Sequence, residues 1–285
     1  VDINETNALD INELDQGALA GTVNVDAAGT ITVVDGLAGV SGLDGQVELD
    51  ADGAASNIAV NASVNSTNGD INLLADNDVT FDATSDVTSA SGNVTVTGDA
   101  NGGGSGTDGA VTMADGAVID AGTGTIDIDA DEDITLGGAT TTNATATAVT
   151  VTSTSGGVVD GGDIDTDITA NSGTVVIDAV TGVGDANPID TTIATLDLDN
   201  TTSGNVGIVE TDAIVLVGVT SGGGNLDVVS VGDMDVVSAI SASGVVTLTN
   251  GGLLTTSAVV TADGGFGQDG IGGVHLGANV TAGGS

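Results

Sequence analysis

The chemistry open to this chain is that of carboxylates. Its 285 residues include 41 Asp and Glu but no Lys, no Arg, no Cys and a single His, so the formal net charge is −41. Carboxylate oxygens are the ligands that Ca²⁺ prefers, since this hard cation takes about six to eight oxygens in flexible geometry. Because the chain has no cationic side chain to offset its charge, salt, bound divalent cations or a cationic partner must do so. The composition therefore predicts salt-rich or metal-rich surroundings outside a cell.

Acidic residues that alternate along a strand project from one face of it. Two such segments supply six candidate calcium ligands: Asp127, Asp129, Asp131, Asp163, Asp165 and Asp167. If the strands stack about 4.8 Å apart, neighbouring carboxylates come close enough for their repulsion to require a cation. The alternative interpretation is a solvated outer face, with Asp residues that cap turns. Residues 127–133 (DIDADED) also imitate the start of an EF-hand loop, but the Gly and Glu that complete it are missing, and the apolar alternation favours a strand.

Two glycine-rich segments add two candidate ligands. Residues 103–108 (GGSGTD) and 264–269 (GGFGQD) match the start of the G-G-x-G-x-D repeat that binds calcium in β-rolls. We therefore add Asp108 and Asp269 to the candidate ligands. A β-roll completes each site from adjacent copies, whereas these two segments stand alone, so the alternative is a flexible loop before a strand.

Several classes of function are excluded or disfavoured by composition. Nucleic-acid binding relies on Lys and Arg, and a phosphate loop needs its Lys, so neither is expected here. A hydrolase built on paired Asp residues would lack aromatic sugar platforms, because Phe81 and Phe266 are the only aromatic residues. His275 alternates with Val274 and Leu276 in a predicted strand and is expected to point outward. We expect no catalysis, and no transmembrane helix, because no run of about 18 apolar residues occurs.

The apolar residues indicate strands that must position these carboxylates. They make up 40% of the chain, the mean hydropathy is +0.32, and they alternate with polar residues along most of its length. That period is typical of strands with one buried face, whereas 47 Gly and abundant Val, Thr, Asp and Asn disfavour helix. High net charge with few aromatic residues is also the signature of disorder, but the ordered alternation argues against it.

The alternation recurs as a repeat whose head is Gly-x-Val/Ile/Leu-x-Val/Ile/Leu/Met. The clear heads begin at Gly45, Gly69, Gly92, Gly109, Gly124, Gly173, Gly224 and Gly244. Several are followed by an acidic turn and a second short strand, and the mean spacing of roughly 20 to 25 residues lies in the solenoid range. We predict an all-β fold, a single parallel β-helix (β-solenoid) of about a dozen coils, with Ile126 and Ile128 pointing inward. A two-layer sandwich and an antiparallel barrel are the competing all-β alternatives.

The repeats resemble those of a known protein family. Residues 69–75 (GDINLLA) with 78–81 (DVTF), and 124–130 (GTIDIDA) with 133–136 (DITL), resemble the repeats of filamentous-haemagglutinin-like secreted adhesins. Residues 264–276 resemble the glycine-rich inserts of such surface proteins. The resemblance implies a right-handed parallel β-helix on the cell surface, and it carries over no catalytic residue.

The predicted organisation is a solenoid over residues 21–285, preceded by residues 1–20. These first residues are either the first coil or a strand donated to a neighbouring subunit. The leading hypothesis for function is a subunit or segment of an extracellular filament, stacked end to end with copies of itself and neutralised by cations. The alternatives are a rigid stalk segment of a large monomeric adhesin and an acidic, calcium-gathering matrix protein. A host or neighbouring-cell surface is a further candidate partner.

Overall fold

The chain folds as a parallel β-solenoid of about twelve turns. The computed structural model describes residues 1–17, 21–36, 38–102, 109–162 and 165–283. Over these residues it has 33 strands, which are numbered in chain order, and no helix. All of its strand pairings are parallel, and they join strands of successive coils. The predicted fold class is confirmed, and the antiparallel sandwich and barrel are wrong.

In the first seven coils each turn contributes up to three strands, one to each face of the solenoid. The first face holds β1 (Asp2–Glu5), β4 (Val23–Ala27), β7 (Val47–Ala51), β10 (Ile71–Ala75), β13 (Val94–Gly98), β16 (Ile126–Ala130) and β19 (Val149–Ser153). The second holds β2 (Leu9–Ile11), β5 (Ile31–Val33), β8 (Ile58–Val60), β11 (Val79–Phe81), β14 (Val111–Met113), β17 (Ile134–Leu136) and β20 (Val158–Asp160). The third holds β3 (Glu13–Asp15), β6 (Gly39–Ser41), β9 (Val64–Ser66), β12 (Asp86–Ser89), β15 (Val118–Asp120) and β18 (Gly138–Thr140).

The coil changes its form after β20. Four strands make the junction, three long ones, β21 (Ile168–Ala179), β22 (Ile189–Asn200) and β24 (Ile214–Ser221), and the five-residue β23 (Val206–Glu210). Beyond it, β25 (Leu226–Ser230), β28 (Val245–Asn250) and β31 (Gly265–Gly270) stack on one face, β26 (Met234–Val236), β29 (Leu254–Thr256) and β32 (Val274–Leu276) on the next, and β27 (Ile240–Ala242), β30 (Val260–Ala262) and β33 (Val280–Ala282) on the third. Coil length is irregular before the junction, with 32 residues from Val96 to Ile128, and regular after it, with 20 from Val260 to Val280.

The core is a continuous column of aliphatic side chains. The five-residue strands of the first face bury their first, third and fifth residues, as β16 does with Ile126, Ile128 and Ala130. Ile126 and Ile128 are fully buried, as predicted. Parallel pairing places each such residue on its counterpart in the next coil, for example Ile128 on Val96 and under Val151. Apolar burial along the whole rod follows from this register.

The glycine that begins each first-face head is required by the stacking. A Cβ at Gly69 would lie 2.2 Å from the carbonyl oxygen of Gly45, and one at Gly92 would lie 2.1 Å from that of Gly69. A side chain at either of these positions would clash with the backbone of the neighbouring coil, which explains why these heads carry Gly, whereas the coil of β19 has Thr147 at the equivalent position. One head was misplaced, however: Gly109 precedes β14, which stacks on β11 of the second face, so it does not start a new coil.

Residues 2–15 form a coil of three strands, β1, β2 and β3, that pair with β4, β5 and β6. Leu9 and Leu14 of this coil are partly buried against the core. Within the described residues, no helix has the length and apolar character needed to cross a membrane.

Candidate metal site

Three Asp residues converge at the junction between the two kinds of coil. One carboxylate oxygen each from Asp160, Asp167 and Asp190 lies within 4.8 Å of the other two. Asp160 is the last residue of β20, and Asp167 immediately precedes β21. Asp190 belongs to β22, and its backbone N–H donates to Oδ2 of Asp167 at 2.8 Å, while the Asp167 N–H donates to the Asp190 carbonyl at 2.9 Å. Coil stacking thus brings together residues that are 30 positions apart in the sequence.

The surroundings of the triad are largely dry. Asp167 is 1% exposed and Asp160 is 5% exposed, and Asp190 is half-buried. Oδ1 of Asp160 accepts the Gly162 N–H at 2.6 Å, and its Oδ2 accepts the side-chain amide of Asn187. Clustered buried carboxylates repel one another strongly unless a proton or a cation lies among them. The chain has no Lys or Arg to serve as that cation.

The spacing of the oxygens suits a hard metal ion. Ligands on opposite sides of Ca²⁺, at about 2.4 Å from it, are about 4.8 Å apart, so three oxygens within that distance can share one ion. An all-oxygen set is suited equally to Mg²⁺ or Mn²⁺, so the geometry selects a class of cation and no single member of it.

The triad includes one predicted ligand and two that were missed. Asp167 was predicted, but as an outward residue on the same strand face as Asp163 and Asp165. That interpretation is wrong for the described part: residues 165–167 precede β21, Asp165 is exposed and Asp167 is buried. Asp163 and Asp108 lie outside the described residues.

The two missed ligands differ in how visible they are in the sequence. Asp160 occupies the third position of its second-face strand, where Leu136 and Val60 stand in other coils. An Asp in place of an inward aliphatic residue is a readable sign of a buried polar site. Asp190 carries no comparable sign, because its place beside Asp167 depends on the coil register.

Asp127 and Asp129 point outward, as predicted, but their neighbours are not acidic. Asp127 lies between Thr95 and Thr150 of the adjacent coils. Asp129 lies between Thr97 and Thr152 in the same way. Partial burial raises the pKa of both carboxyls, and the charge of Asp129 raises that of Asp127 further. Stacking therefore does not pair these two with the carboxylates of neighbouring coils.

The remaining predicted ligands are separated from the triad. Asp131 follows β16, and its Oδ1 accepts the hydroxyls of Thr154 at 2.6 Å and Ser155 at 3.0 Å. With Asp129 and Asp99 it lines a cavity of about 200 Å³. Residues 265–270 form the strand β31, so the alternative of a flexible loop there is wrong. Asp269 lies in this strand and is exposed.

Directly stacked carboxylates do occur elsewhere on the surface. Asp50 pairs in register with Asp26, and Asp178 with Asp199. Burial and then the charge of Asp26 raise the pKa of Asp50, and burial and then Asp199 raise that of Asp178. Repulsion between coils is therefore present at these two places.

At some positions a side-chain amide lies beside an acid of the neighbouring coil. The Asn4 side-chain amide donates to Asp26 at 2.9 Å, and that of Asn68 donates to Asp44 at 2.7 Å. An amide between two acidic coils supplies N–H donors without adding charge. These contacts offset part of the repulsion that the net charge implies.

Glu210 is a further buried carboxylate close to the junction. It is fully buried at the end of β23, where Oε2 accepts the Thr191 hydroxyl at 2.8 Å and the Ile193 N–H at 3.0 Å, and Oε1 accepts the Asp212 N–H at 3.1 Å. Burial raises its pKa from the ordinary 4.5 to about 7, although these donors oppose the shift. Its position at the junction, in register with Thr191, was not foreseen.

No protein family matches the sequence, and comparison with curated proteins and with solved structures gives no significant match.

Proposed function

We propose that this protein is an extracellular structural protein, a subunit or segment of a β-solenoid surface filament. The observation that carries the proposal is the uninterrupted parallel stacking from β1 to β33 around one aliphatic column. Such an architecture is stiff along its axis and can be extended by any coil of matching shape. A catalytic role has no comparable support.

Continuation of the rod is supported by its two end coils. Within the described chain, β1 pairs only with β4 and β31 only with β28, so each end coil has one strand edge left for pairing. Such edges are templates for further strands. In a subunit the next coil belongs to another copy, and in a segment it belongs to the same longer chain. Both arrangements continue the rod along its axis.

Cations complete the proposal, with Ca²⁺ as the leading candidate. A net charge of −41 on one rod opposes the approach of a second rod unless it is screened or neutralised. The buried triad of Asp160, Asp167 and Asp190 is where we expect a divalent ion to bind most tightly. Stacked surface pairs such as Asp26 and Asp50 would gather further cations more weakly.

Negative-stain imaging at low sodium, with calcium or with EDTA, tests the function. Uniform fibres of one rod width, longer with calcium, are expected from the chain alone. Isolated short rods under all conditions would favour the stalk of a monomeric adhesin. Amorphous, calcium-dependent precipitates without fibres would favour an acidic matrix protein. Fibre length that is indifferent to EDTA would show that salt screening alone is sufficient.

A further inference from the structure

The apolar surface of this rod is concentrated on one side of its last coils. Four aliphatic side chains protrude there: Val231 is 66% exposed, Val237 47%, Leu253 44% and Val259 42%. Val231 and Leu253 lie in the turns that precede β26 and β29, and Val237 and Val259 lie in the turns that follow these strands. Both coils are covered by another coil above and below, so the exposure is lateral. We call the surface framed by these four residues the apolar patch.

At two of its four positions the patch replaces a polar residue of the preceding coil. The register of β23 with β25 and of β24 with β26 places Val231 in the position of Thr211, and Leu253 in that of Asp233. The acidic charge falls in parallel, since residues 237–285 contain only Asp263 and Asp269 of the 41 acids. Exposed aliphatic groups combined with low charge are typical of a surface that meets a partner.

A row of three outward residues crosses the middle of the patch. In-register pairing of β26, β29 and β32 stacks Asp235, Thr255 and His275 in consecutive coils. The only acid of this row is at one end, and the only His of the chain is at the other. A two-fold axis through Thr255 would therefore place each Asp235 opposite a His275 of a second copy. The row is complementary to itself in the antiparallel direction, whereas a parallel arrangement would place Asp235 against Asp235.

We propose that the apolar patch is a docking surface for a second copy of this chain, which binds antiparallel about a two-fold axis through Thr255. This rotation keeps each residue on the same side across the strands, so Leu253 of one copy packs near Leu253 of the other, and Val259 near Val259, since a closed two-fold interface uses the same patch on both subunits. The axis lies among coils that hold few acids, since residues 237–285 contain only Asp263 and Asp269, and the acidic body of each copy, residues 1–236, extends away from the axis in the opposite direction to that of its mate. Separation beyond the Debye length of about 8 Å then screens most of their repulsion. An interface that spans three coils belongs to the small, weak class.

The proposal is independent of end-to-end stacking, because the patch lies on the side of the rod. It gives the filament, or the isolated rod, a lateral contact restricted to one region. Side-by-side staggered pairs would therefore form even where end-to-end fibres do not.

A disulfide trap tests this geometry, because the chain has no cysteine of its own. Thr255→Cys places one thiol on the proposed axis, opposite its symmetry mate. Thr135→Cys is the matched control, a half-buried outward Thr of β17 on the acidic body. We expect mild oxidation to give a covalent dimer at least about tenfold faster from T255C than from T135C, because docking raises the effective thiol concentration. Equal rates would overturn the proposal.

A charge exchange in the T255C background then tests the pairing of the row. His275→Asp places Asp opposite Asp and is expected to slow dimer formation by roughly fivefold or more. Asp235→His, which places His opposite His, is expected to slow it to a similar extent. The double exchange D235H/H275D should restore the rate. Failure of the double exchange to rescue would rule out the antiparallel register.

Val231→Asp should also slow the reaction, and Val159→Asp, a matched change at an exposed Val of the acidic body, should not. Binding of the patch to neutral lipid vesicles without T255C cross-linking would replace the second copy by a membrane and overturn the proposal.

Discussion

The hydroxyl of Thr191 donates a 2.8 Å hydrogen bond to Oε2 of Glu210, and neither side chain is exposed to solvent. Thr191 and Glu210 are stacked in register, so this bond joins two consecutive coils inside the solenoid. In a chain without Lys or Arg, an ionised Glu210 has only neutral donors around it. The protonation of this group should therefore affect the stability of the junction.

We predict that acidification from pH 8 to pH 5 stabilises the protein and that Glu210→Gln removes much of this effect. The folded pKa of about 7 lies above the ordinary 4.5, so the folded state binds the proton more tightly than the unfolded state. The stabilisation is fully present below about pH 4.5 and is lost as pH rises through 7, by up to roughly 3 kcal/mol. Thermal unfolding followed by circular dichroism across this pH range measures it.

Glu13→Gln is the matched control, because Glu13 is an exposed residue of β3. It should leave the slope of the melting temperature against pH close to that of the wild type. The same slope in E210Q as in the wild type would show that Glu210 does not control the pH dependence.

The second prediction concerns Gly69, whose backbone lies directly against that of Gly45 in the neighbouring coil. An added Cβ would lie 2.2 Å from both the carbonyl carbon and the oxygen of Gly45, and neither backbone can move without disturbing its own ladder. We expect Gly69→Ala to lower the free energy of unfolding by about 1–3 kcal/mol. Gly267→Ala is the control, because its Cβ would meet nothing closer than 3.8 Å. Urea unfolding compares the two, and equal loss in both would contradict the stacking.

The faces of the strands could be predicted from the sequence because they depend on local alternation. Ile126 and Ile128 are buried and Asp127 and Asp129 point outward, as the period of two requires. Gly109 was assigned to the wrong face because first-face and second-face strands share one apolar pattern. Only the pairing of β14 with β11 separates them.

The neighbours across coils could not be predicted because coil length varies. A coil of 32 residues separates Val96 from Ile128, so no fixed spacing places Thr95 beside Asp127. The triad could not be predicted for the same reason, because Asp160 and Asp190 come together only where coils of different length stack. Like charges in the sequence are therefore a poor guide to like charges in contact.

A third prediction concerns calcium at the triad. Millimolar calcium should raise the melting temperature of the wild type at low sodium, because a ligand that binds only the folded state stabilises it. Asp167→Asn should lose most of this rise and should be more stable than the wild type in EDTA, since one buried charge is removed. Asp10→Asn, a change at an exposed Asp of β2, should retain the wild-type response. A full calcium response in D167N would exclude the triad as the site.

The stacked pair of Asp26 and Asp50 gives the last prediction. Their in-register contact raises the cost of ionising Asp50, whose pKa is raised by burial and then by Asp26. Asp50→Asn should therefore stabilise the protein at low salt, by about 0.5–1 kcal/mol, and the gain should shrink in 1 M NaCl, where the Debye length is about 3 Å. Asp127→Asn is the matched control, because Asp127 lies between two Thr residues and its replacement relieves no repulsion between coils. Urea unfolding of both variants at the two salt concentrations gives the comparison. If D127N gained as much as D50N at low salt, burial of each charge and repulsion within a coil would account for the effect, and the stacked contact would have no separate energetic role.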